Sequence, residues 1–516
     1  MKKAYLYTLL FCGGLLLFYS CRKDLSTHDS NKISGITFDT TGQSSLSVFQ
    51  YDTLVLNPNV NLNGLKGSDL AYEWKINLTP GALNYQLIGT ERDLEFVPQM
   101  KPTKAGEFHQ VLYTITDRAN GLQYIMAWPL AIRNSIGEGL VIAETSDGST
   151  TDLSHIMSPL VTTNYHTESV KHHVFSSING TTIPGLLKQL QFTKLNSVGE
   201  IMLGISDNSI AAVKTLDYTL ARMNEELFFS PVGERKPQML GALTQSDVYV
   251  GNGKLTAVWL ANSKKFGLPF DNKFTVPAHV ALNGRSDNPA VVISFYEEVA
   301  ESFVYQASVS FGDKNMHAMP DTNQGAFNAG HLPGKVNVAA ATSQSGEFLH
   351  LLKDKTTGAY GLYVLEGGSY DANWTFVPPA PKTYVDLSDA PEIADARYFV
   401  LLDDQKVMYY GTKTKIYAVL YGSSTHSYAE RYTLTGGDEI TTLQVYRQAD
   451  YPKRLDGSGV PYLATNNKQL ILSTYNGTEG KVHLLPMKNI GLGNIDKDAV
   501  KTYGGFKRIT AIGTQL

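Results

Sequence analysis

The feature that most constrains this chain is a recurrence of short apolar pairs. Val291 to Tyr296 and Val304 to Val309 flank an acidic turn. Phe348 to Leu352 and Tyr360 to Leu365 flank residues 353–358, and Tyr398 to Leu402 and Lys406 to Tyr410 flank Asp403-Asp404-Gln405. Ile416 to Leu420 and Tyr428 to Thr433 flank Tyr421-Gly422-Ser423-Ser424; Gln469 to Thr474 and Lys481 to Leu485 flank residues 475–480. Ile201 to Ile205 and Lys254 to Leu260 sit beside similar turns. Apolar runs of this kind, bounded by Gly, Asn, Asp and Ser, are hairpin signals. They group at intervals of roughly fifty residues, the range of propeller blades. Candidate blades begin near Gly139, Phe192, Gln245, Val291, Glu347, Arg397 and Pro461. A ring of small sheets buries its faces and leaves only short edges, which is the physical reason to close it. The region 138–516 is too long for one sandwich, and no Trp-Asp or kelch signature marks it, so a stack of sandwiches is the alternative architecture. Two stretches stand apart. Residues 216–229 place Leu216, Leu220, Met223 and Leu227 at helical spacing and predict one short helix. Residues 376–381 read as an extended proline link.

Residues 36–134 have a different texture. Residues 52–58 read as a strand ended by Asn57-Pro58. Residues 70–76 alternate, with Leu70, Tyr72, Trp74 and Ile76 on one face, and Leu94 to Pro98 is a further candidate. Residues 107–116 and 122–132 form a hairpin across the turn at 117–121. Several strands in about a hundred residues, with a Trp on the apolar face, predict a β-sandwich. Trp74 reads as a core plug.

The N-terminus sets an address. Met1-Lys2-Lys3 is basic, Ala4 to Phe18 is apolar and uncharged, and polar sequence follows from Arg22. This is the layout of a secretory signal, with an apolar part too short for a comfortable bilayer span. Ser20-Cys21 places a cysteine after a small residue at the expected cleavage point. The segment resembles the lipobox of bacterial lipoproteins in the looser form of Bacteroidetes-type bacteria. That resemblance implies removal of residues 1–20, lipidation of Cys21, and residues 21–35 as a polar tether. Several acyl chains on one residue suffice for stable anchoring. Of the chain's 2 cysteines, Cys12 would leave with the signal and Cys21 would carry lipid, so no disulfide is expected. Loss of Lys2 and Lys3 moves the net charge from −4 to about −6. The Arg-Lys-Asp after Cys21 partly resembles the export signal for the outer face, and leaves the periplasmic and surface-exposed faces both open.

The motifs Tyr72-Glu73-Trp74, Ile88-Gly89-Thr90, Asp93-Leu94, residues 113–117 and Gly121 resemble a PKD or Ig-like domain. Closer still is the PKD-like lipoprotein family of Bacteroidetes-type bacteria. In that family the domain follows a lipobox and precedes a β-rich region that opens with a Gly-hydrophobic run and an Asp-Gly turn. Residues 139–144 and Asp147-Gly148 match that order. Trp74-Lys75-Ile76 departs from the Trp-Asp-Phe-Gly-Asp type of sequence that PKD domains often carry. The fold expected is therefore all-β: a PKD/Ig-like sandwich over 36–134, then a seven-bladed β-propeller over 138–516.

Catalytic patterns are sparse. His166, His172 and His173 sit in polar sequence without a metal-binding frame and read as solvated. Glu297, Glu298 and Glu301 do not read as the acid pair of a glycosidase, since all three lie on one hairpin turn. Residues 251–254 (Gly-Asn-Gly-Lys) hold part of a phosphate-loop pattern, but Leu255 stands where Ser or Thr belongs, so a hairpin turn is the better reading. Residues 146–150 lack the spacing and the Trp of a sialidase Asp-box. No Gly-x-Ser-x-Gly elbow occurs. Tyrosines are dense near the C-terminal third. Tyr409, Tyr417, Tyr428 and Tyr432 are the candidate ligand platform, because ring faces stack while hydroxyls bond; strand packing is the bland alternative.

The near-neutral charge excludes a nucleic-acid partner by electrostatics, and no cofactor or metal is expected. The leading expectation is a non-enzymatic, lipid-anchored binding or accessory protein of the cell envelope, held at the outer membrane and associated with glycan or peptide uptake. Its partners would be the membrane and a glycan, a peptide or an envelope protein. A propeller hydrolase or lyase acting on glycans is the second expectation, and an envelope assembly factor the third. Carboxylates converging on a central channel would favour the second; an apolar or plugged channel would count against it.

Overall fold

A computed structural model describes residues 35–516 except 40–44, 51, 105, 194–199, 245, 259–264, 271–272, 286–288, 309–314, 424 and 453–459. The signal, Cys12, Cys21 and nearly all of the tether lie outside the described residues. The chain divides into two compact units, one ending at Ser135 and one running from Ile136 to Leu516.

In the first unit five strands pair in the order Leu46–Phe49, Gln123–Arg133, His109–Asp117, Leu70–Asn77, Tyr85–Gly89, with two smaller two-stranded sheets. The strand His109–Asp117 alternates strictly between buried and less buried residues, as a sheet with one face in a core must. Trp74 is wholly buried in that core. Its ring stacks on Tyr113 at 4.1 Å, and its indole N–H donates to the Glu91 carbonyl at 2.9 Å. The plug thus keeps its polar handle satisfied.

Among the described residues the second unit contains seven blade sheets and one small two-stranded sheet. Blade one is built from both ends of the unit, with Arg508–Gln515 pairing antiparallel to Gly139–Thr145, followed by Thr150–Met157 and Ser169–Lys171. The inner strands of blades two to seven are Gln189–Thr193, Pro237–Leu243, Ala281–Leu282, Lys335–Thr342, Tyr398–Leu401 and Glu439–Val445. These strands neighbour one another in cyclic order, and Arg508–Gln515 touches the first and last of them. The ring is therefore closed, and the seven-bladed propeller displaces the stacked sandwiches.

The reason is visible in the cores. Seven hydrophobic clusters fill the seven interfaces between successive blades. Blade strands are consequently buried on both faces: in Val407–Gly411, Val407 and Tyr409 face blade seven, while Met408 and Tyr410 face blade five. Near-continuous apolar runs are what such strands require. Gly139 opens the first run at φ +143°, and a Cβ there would run into the Ile156 carbonyl oxygen. Only glycine fits that close approach.

The predicted helix over 216–229 does not form. Leu220–Met223 is the outer strand of blade two, and Asn224–Leu227 is a single 3-10 turn. Tyr218 sits at φ +55°, wholly buried, with its hydroxyl 2.8 Å from His155 Nδ1. Sheet completion and that buried anchor override the 3.6-residue period. Among the described residues the short α-helix that forms is Val174–Asn179. The seven expected blade starts have the right count but a shifted phase: Val291 and Glu347 fall by the second strand of their blades, not the inner one.

Candidate functional site at the mouth of the central channel

The inner strands wall a central cavity of about 510 Å³. Residues 339–341 (three alanines), Val400, Thr441, Thr442 and residues 510–514 contribute to its wall, whose charged members are Lys188 and Arg447. No Asp or Glu belongs to the described lining.

Polar chemistry gathers where the inner strands end. There the connection between the first two strands of blade seven, residues 446–468, is much longer than its counterparts in blades five and six, residues 343–347 and 402–406. It reaches back to blade one, where Tyr446 donates to the Val161 carbonyl at 3.3 Å and Thr465 to the Leu160 carbonyl at 2.7 Å. It also reaches across to three other blades through Tyr451. The Tyr451 hydroxyl donates to Asp403 Oδ2 of blade six at 2.9 Å. It accepts from Arg285 of blade four at 3.1 Å and from Gln344 of blade five at 3.4 Å. Arg285 also pairs directly with Asp403, and Arg447 Nη2 stands 3.3 Å from the same carboxylate oxygen. The two guanidinium groups lie 5.2 and 5.7 Å from the Tyr451 ring centroid, within cation–π range. Asp403 is almost wholly buried, so two cations and a hydroxyl offset its desolvation.

Beside this clamp lies a cleft of about 260 Å³, bounded by Phe192, Thr193, Asp247, Arg447, Asp450 and Tyr451 among others. Asp247 is buried and accepts the Thr193 hydroxyl. Burial pushes its carboxyl up to about 7, and the Thr193 hydrogen bond opposes that only in part. Near neutral pH it can therefore both donate and accept a hydrogen bond. With Arg447 and Tyr451 opposite, the cleft can orient a small polar ligand. Among the described residues no group of three His, Cys, Asp or Glu side chains could hold a metal ion.

The expected tyrosine platform does not assemble. Tyr409 is fully buried between blades six and seven, and burial raises its hydroxyl well above the usual phenol range. Tyr417 is buried on the other side of the same sheet, its ring stacked on Tyr410 at 5.1 Å. Tyr428 and Tyr432 are half-buried on the outer strand Ser427–Thr433. A bulge between Ile416 and Tyr417 breaks the two-residue period, so Tyr428 packs toward blade five and Tyr432 toward blade seven. These rings are interblade packing.

The other sequence candidates are structural as well. Glu297 is buried rather than solvated and accepts from the Val299 and Thr275 amides at 2.9 and 3.1 Å. Glu301 accepts from the Gly334 amide at 2.9 Å, and Glu298 lies 3.4 Å from Lys355. His173 precedes the helix Val174–Asn179 and lies 3.3 Å from Asp152, while His172 packs edge-on against Phe506 at 4.8 Å. Both have protein neighbours, yet His166 and His172 are exposed and His173 is half-exposed, so the three remain open to solvent as expected. Asn252 and Gly253 form the left-handed pair of a tight hairpin turn. Asp147 accepts from the Ser149 and Thr150 amides, which hold its carboxyl well below the usual range. Arg285, Asp403, Arg447, Tyr451 and Asp247 have no sequence signature because they come from four separate places in the chain, with only Arg447 and Tyr451 sharing one connection. The long insertion in blade seven was the one available signal.

Fold and site together define a PKD-like sandwich joined to a seven-bladed propeller with a clamped channel mouth. The family model described as PKD-like matches residues 21–186, so the resemblance carried by Tyr72-Glu73-Trp74 and by residues 139–144 holds. That match runs from Cys21 through the sandwich into blade one. No curated protein matches the chain. Among solved structures, a quinonprotein alcohol dehydrogenase-like protein of Bacteroides thetaiotaomicron is similar at 12% identity and TM-score 0.41, covering 92% of this chain and 97% of its own. The extracellular domain of a hybrid two component system of B. thetaiotaomicron is similar at 10% identity and TM-score 0.34, over 81% of this chain and 56% of its own. The WD40 domain of SCAP from fission yeast is similar at 8% identity and TM-score 0.25, over 74% and 85%.

Proposed function

We infer that this protein is a lipid-anchored binding or accessory protein of the bacterial cell envelope, held at the outer membrane by Cys21 and serving glycan or peptide uptake. The observation that carries the binding reading is the Tyr451 clamp. It ties Tyr451 to three other blades at the channel mouth and has a small polar cleft beside it. Sites that bind and orient a ligand combine such a rigid concave frame with a few convergent polar groups. Glycoside hydrolysis needs two carboxyl groups flanking the scissile bond, and the described channel wall supplies neither. Among the described residues no helix is long and apolar enough to cross a membrane, so the anchoring reading rests on Cys21.

Two measurements test it. Cys21→Ala is expected to release the protein from membranes; a variant that still partitions with them sinks the anchor. Glycan and peptide arrays probed with the chain lacking residues 1–21 are expected to show binding without turnover, weakened by Tyr451→Phe. A glycan hydrolase or lyase is the second reading, favoured by the raised Asp247 carboxyl, which suits a general acid. Product formation that Asp247→Asn abolishes would install that reading in place of the first.

A further inference from the structure

A second surface feature lies in blade five, away from the channel. Between its third strand, Tyr360–Leu365, and its outer strand, Pro381–Asp386, the chain inserts a small hairpin. Ser369–Tyr370 pairs with Phe376–Val377. The tip is tightly built: the Asp371 carboxylate accepts from the Asn373 and Thr375 amides, both at 2.8 Å, and the Trp374 amide donates to the Asp371 carbonyl at 3.0 Å. On this fixed turn Trp374 is 77% exposed, at φ +63°.

That combination is unusual. A bulky residue in the left-handed region is strained, and here packing does not compensate, because the ring projects into solvent. The ring nevertheless has aromatic neighbours. Tyr370 lies 6.4 Å from it, Phe376 lies 6.0 Å from Tyr370, and Tyr305 of blade four stacks on Phe376 at 6.0 Å. The turn thus holds out a flat apolar face backed by other rings, with Asp371, Asn373 and Thr375 beside it as hydrogen-bonding groups.

We propose that the hairpin 369–377 is a saccharide-binding site in which Trp374 stacks against the C–H face of a sugar ring. Its composition selects that occupant. Residues 369–377 contain no Lys or Arg, so neither phosphate nor an anionic lipid headgroup finds a counter-charge. The polar side chains of the same turn would be stranded if the tip entered a bilayer core, yet they match the hydroxyls that rim a sugar. Tyr and Trp suit this work because one ring offers an apolar face and the neighbouring groups bond at its edge. The site is independent of the channel mouth and does not require a ligand there.

The full chain is titrated in solution with cellohexaose, xylohexaose, mannohexaose and maltohexaose, each to about 10 mM, the range of weak single-ring sites. At least one is expected to bind. Trp374→Ala is expected to weaken that binding about tenfold or more, and Trp374→Tyr to restore most of it, with the melting temperature of both variants unchanged. Absence of binding by all four saccharides overturns the proposal, as does binding that Trp374→Ala leaves intact. A saccharide lost in Tyr451→Phe but kept in Trp374→Ala reports the channel mouth instead, and rejects the hairpin site without touching the channel reading. Trp374-dependent capture of phosphatidylglycerol vesicles or peptides, with no saccharide binding, also overturns it.

Discussion

The sandwich and the propeller are made from the same residue types yet bury them differently. In the sandwich, His109–Asp117 alternates, because only one face of each sheet meets the core, and the large rings gather in a single cluster around Trp74. In the propeller, strands such as Val407–Gly411 and Tyr360–Leu365 are buried at every position, because each sheet lies between two others. The lesson concerns the tyrosines. A tyrosine-rich strand at a sandwich surface would be a fair candidate for stacking a ligand; in a closed ring it is interior mortar. Tyr409 and Tyr410 are adjacent in sequence and wholly buried in opposite interfaces.

The contrast can be broken most severely at the ring closure. Deleting residues 508–516 removes the inner strand of blade one and a share of two interblade cores. Calorimetry is expected to lose the propeller's cooperative transition while the sandwich transition survives; a propeller that still melts cooperatively would refute closure as the organising element. Trp74→Ala attacks the other unit. It is expected to cost the sandwich about 3–5 kcal/mol, as large aromatic truncations in cores do, and to leave the propeller transition in place.

Asp403→Ala leaves Arg285 and Arg447 facing each other without their shared carboxylate. Breaking a buried pair in this way costs about 3 kcal/mol, to be read from urea denaturation of the propeller, and equal stability of variant and parent would show that the clamp is not structural. Acidification is expected to act more gently. Burial holds His155 and His350 neutral, each lowered to about 3, whereas the unfolded chain takes up those protons below about 6.5. Propeller stability is therefore full above about pH 6.5 and declines as pH falls toward 3. Asp247 opposes this: its folded carboxyl is raised to about 7, so its contribution is present at low pH and is lost as pH rises from about 4 to 7. Asp247→Asn should steepen the acid decline measured by melting temperature; a shallower decline would contradict the assignment. Smallest of all, Tyr409→Phe deletes a buried hydroxyl that lacks a hydrogen-bond partner among the described residues. It is expected to be neutral or stabilising by about 1 kcal/mol and to leave ligand binding unchanged, whereas a platform role would require binding to fall.

Much of the fold is written locally. Hairpin pairs such as 348–352 with 360–365 announce themselves because turn residues and apolar runs lie within one short segment. The count of seven blades follows from their spacing, while the phase slips by a strand, since nothing local says which strand of a sheet will face the axis. The segment 216–229 misleads for a related reason: its helical period is real, but the vacancy for an outer strand in blade two exists only after the sheet has formed. The site was almost illegible. Arg285, Asp403 and Tyr451 are separated by more than a hundred and sixty residues from first to last, and no spacing rule connects turns of different blades.

What the sequence determined by itself is the order of the β elements: an alternating β segment, then seven hairpin groups. Each depends on contacts or patterns within a few dozen residues, where loop closure costs little. What only the tertiary structure decided is which faces are hidden and which groups meet. Ring closure buried Tyr409 and Tyr417, drew Arg285, Asp403 and Tyr451 to one mouth, and left Trp374 outside. Those outcomes depend on long-range packing, and a side chain's exposure is a property of its neighbours more than of its own residue type.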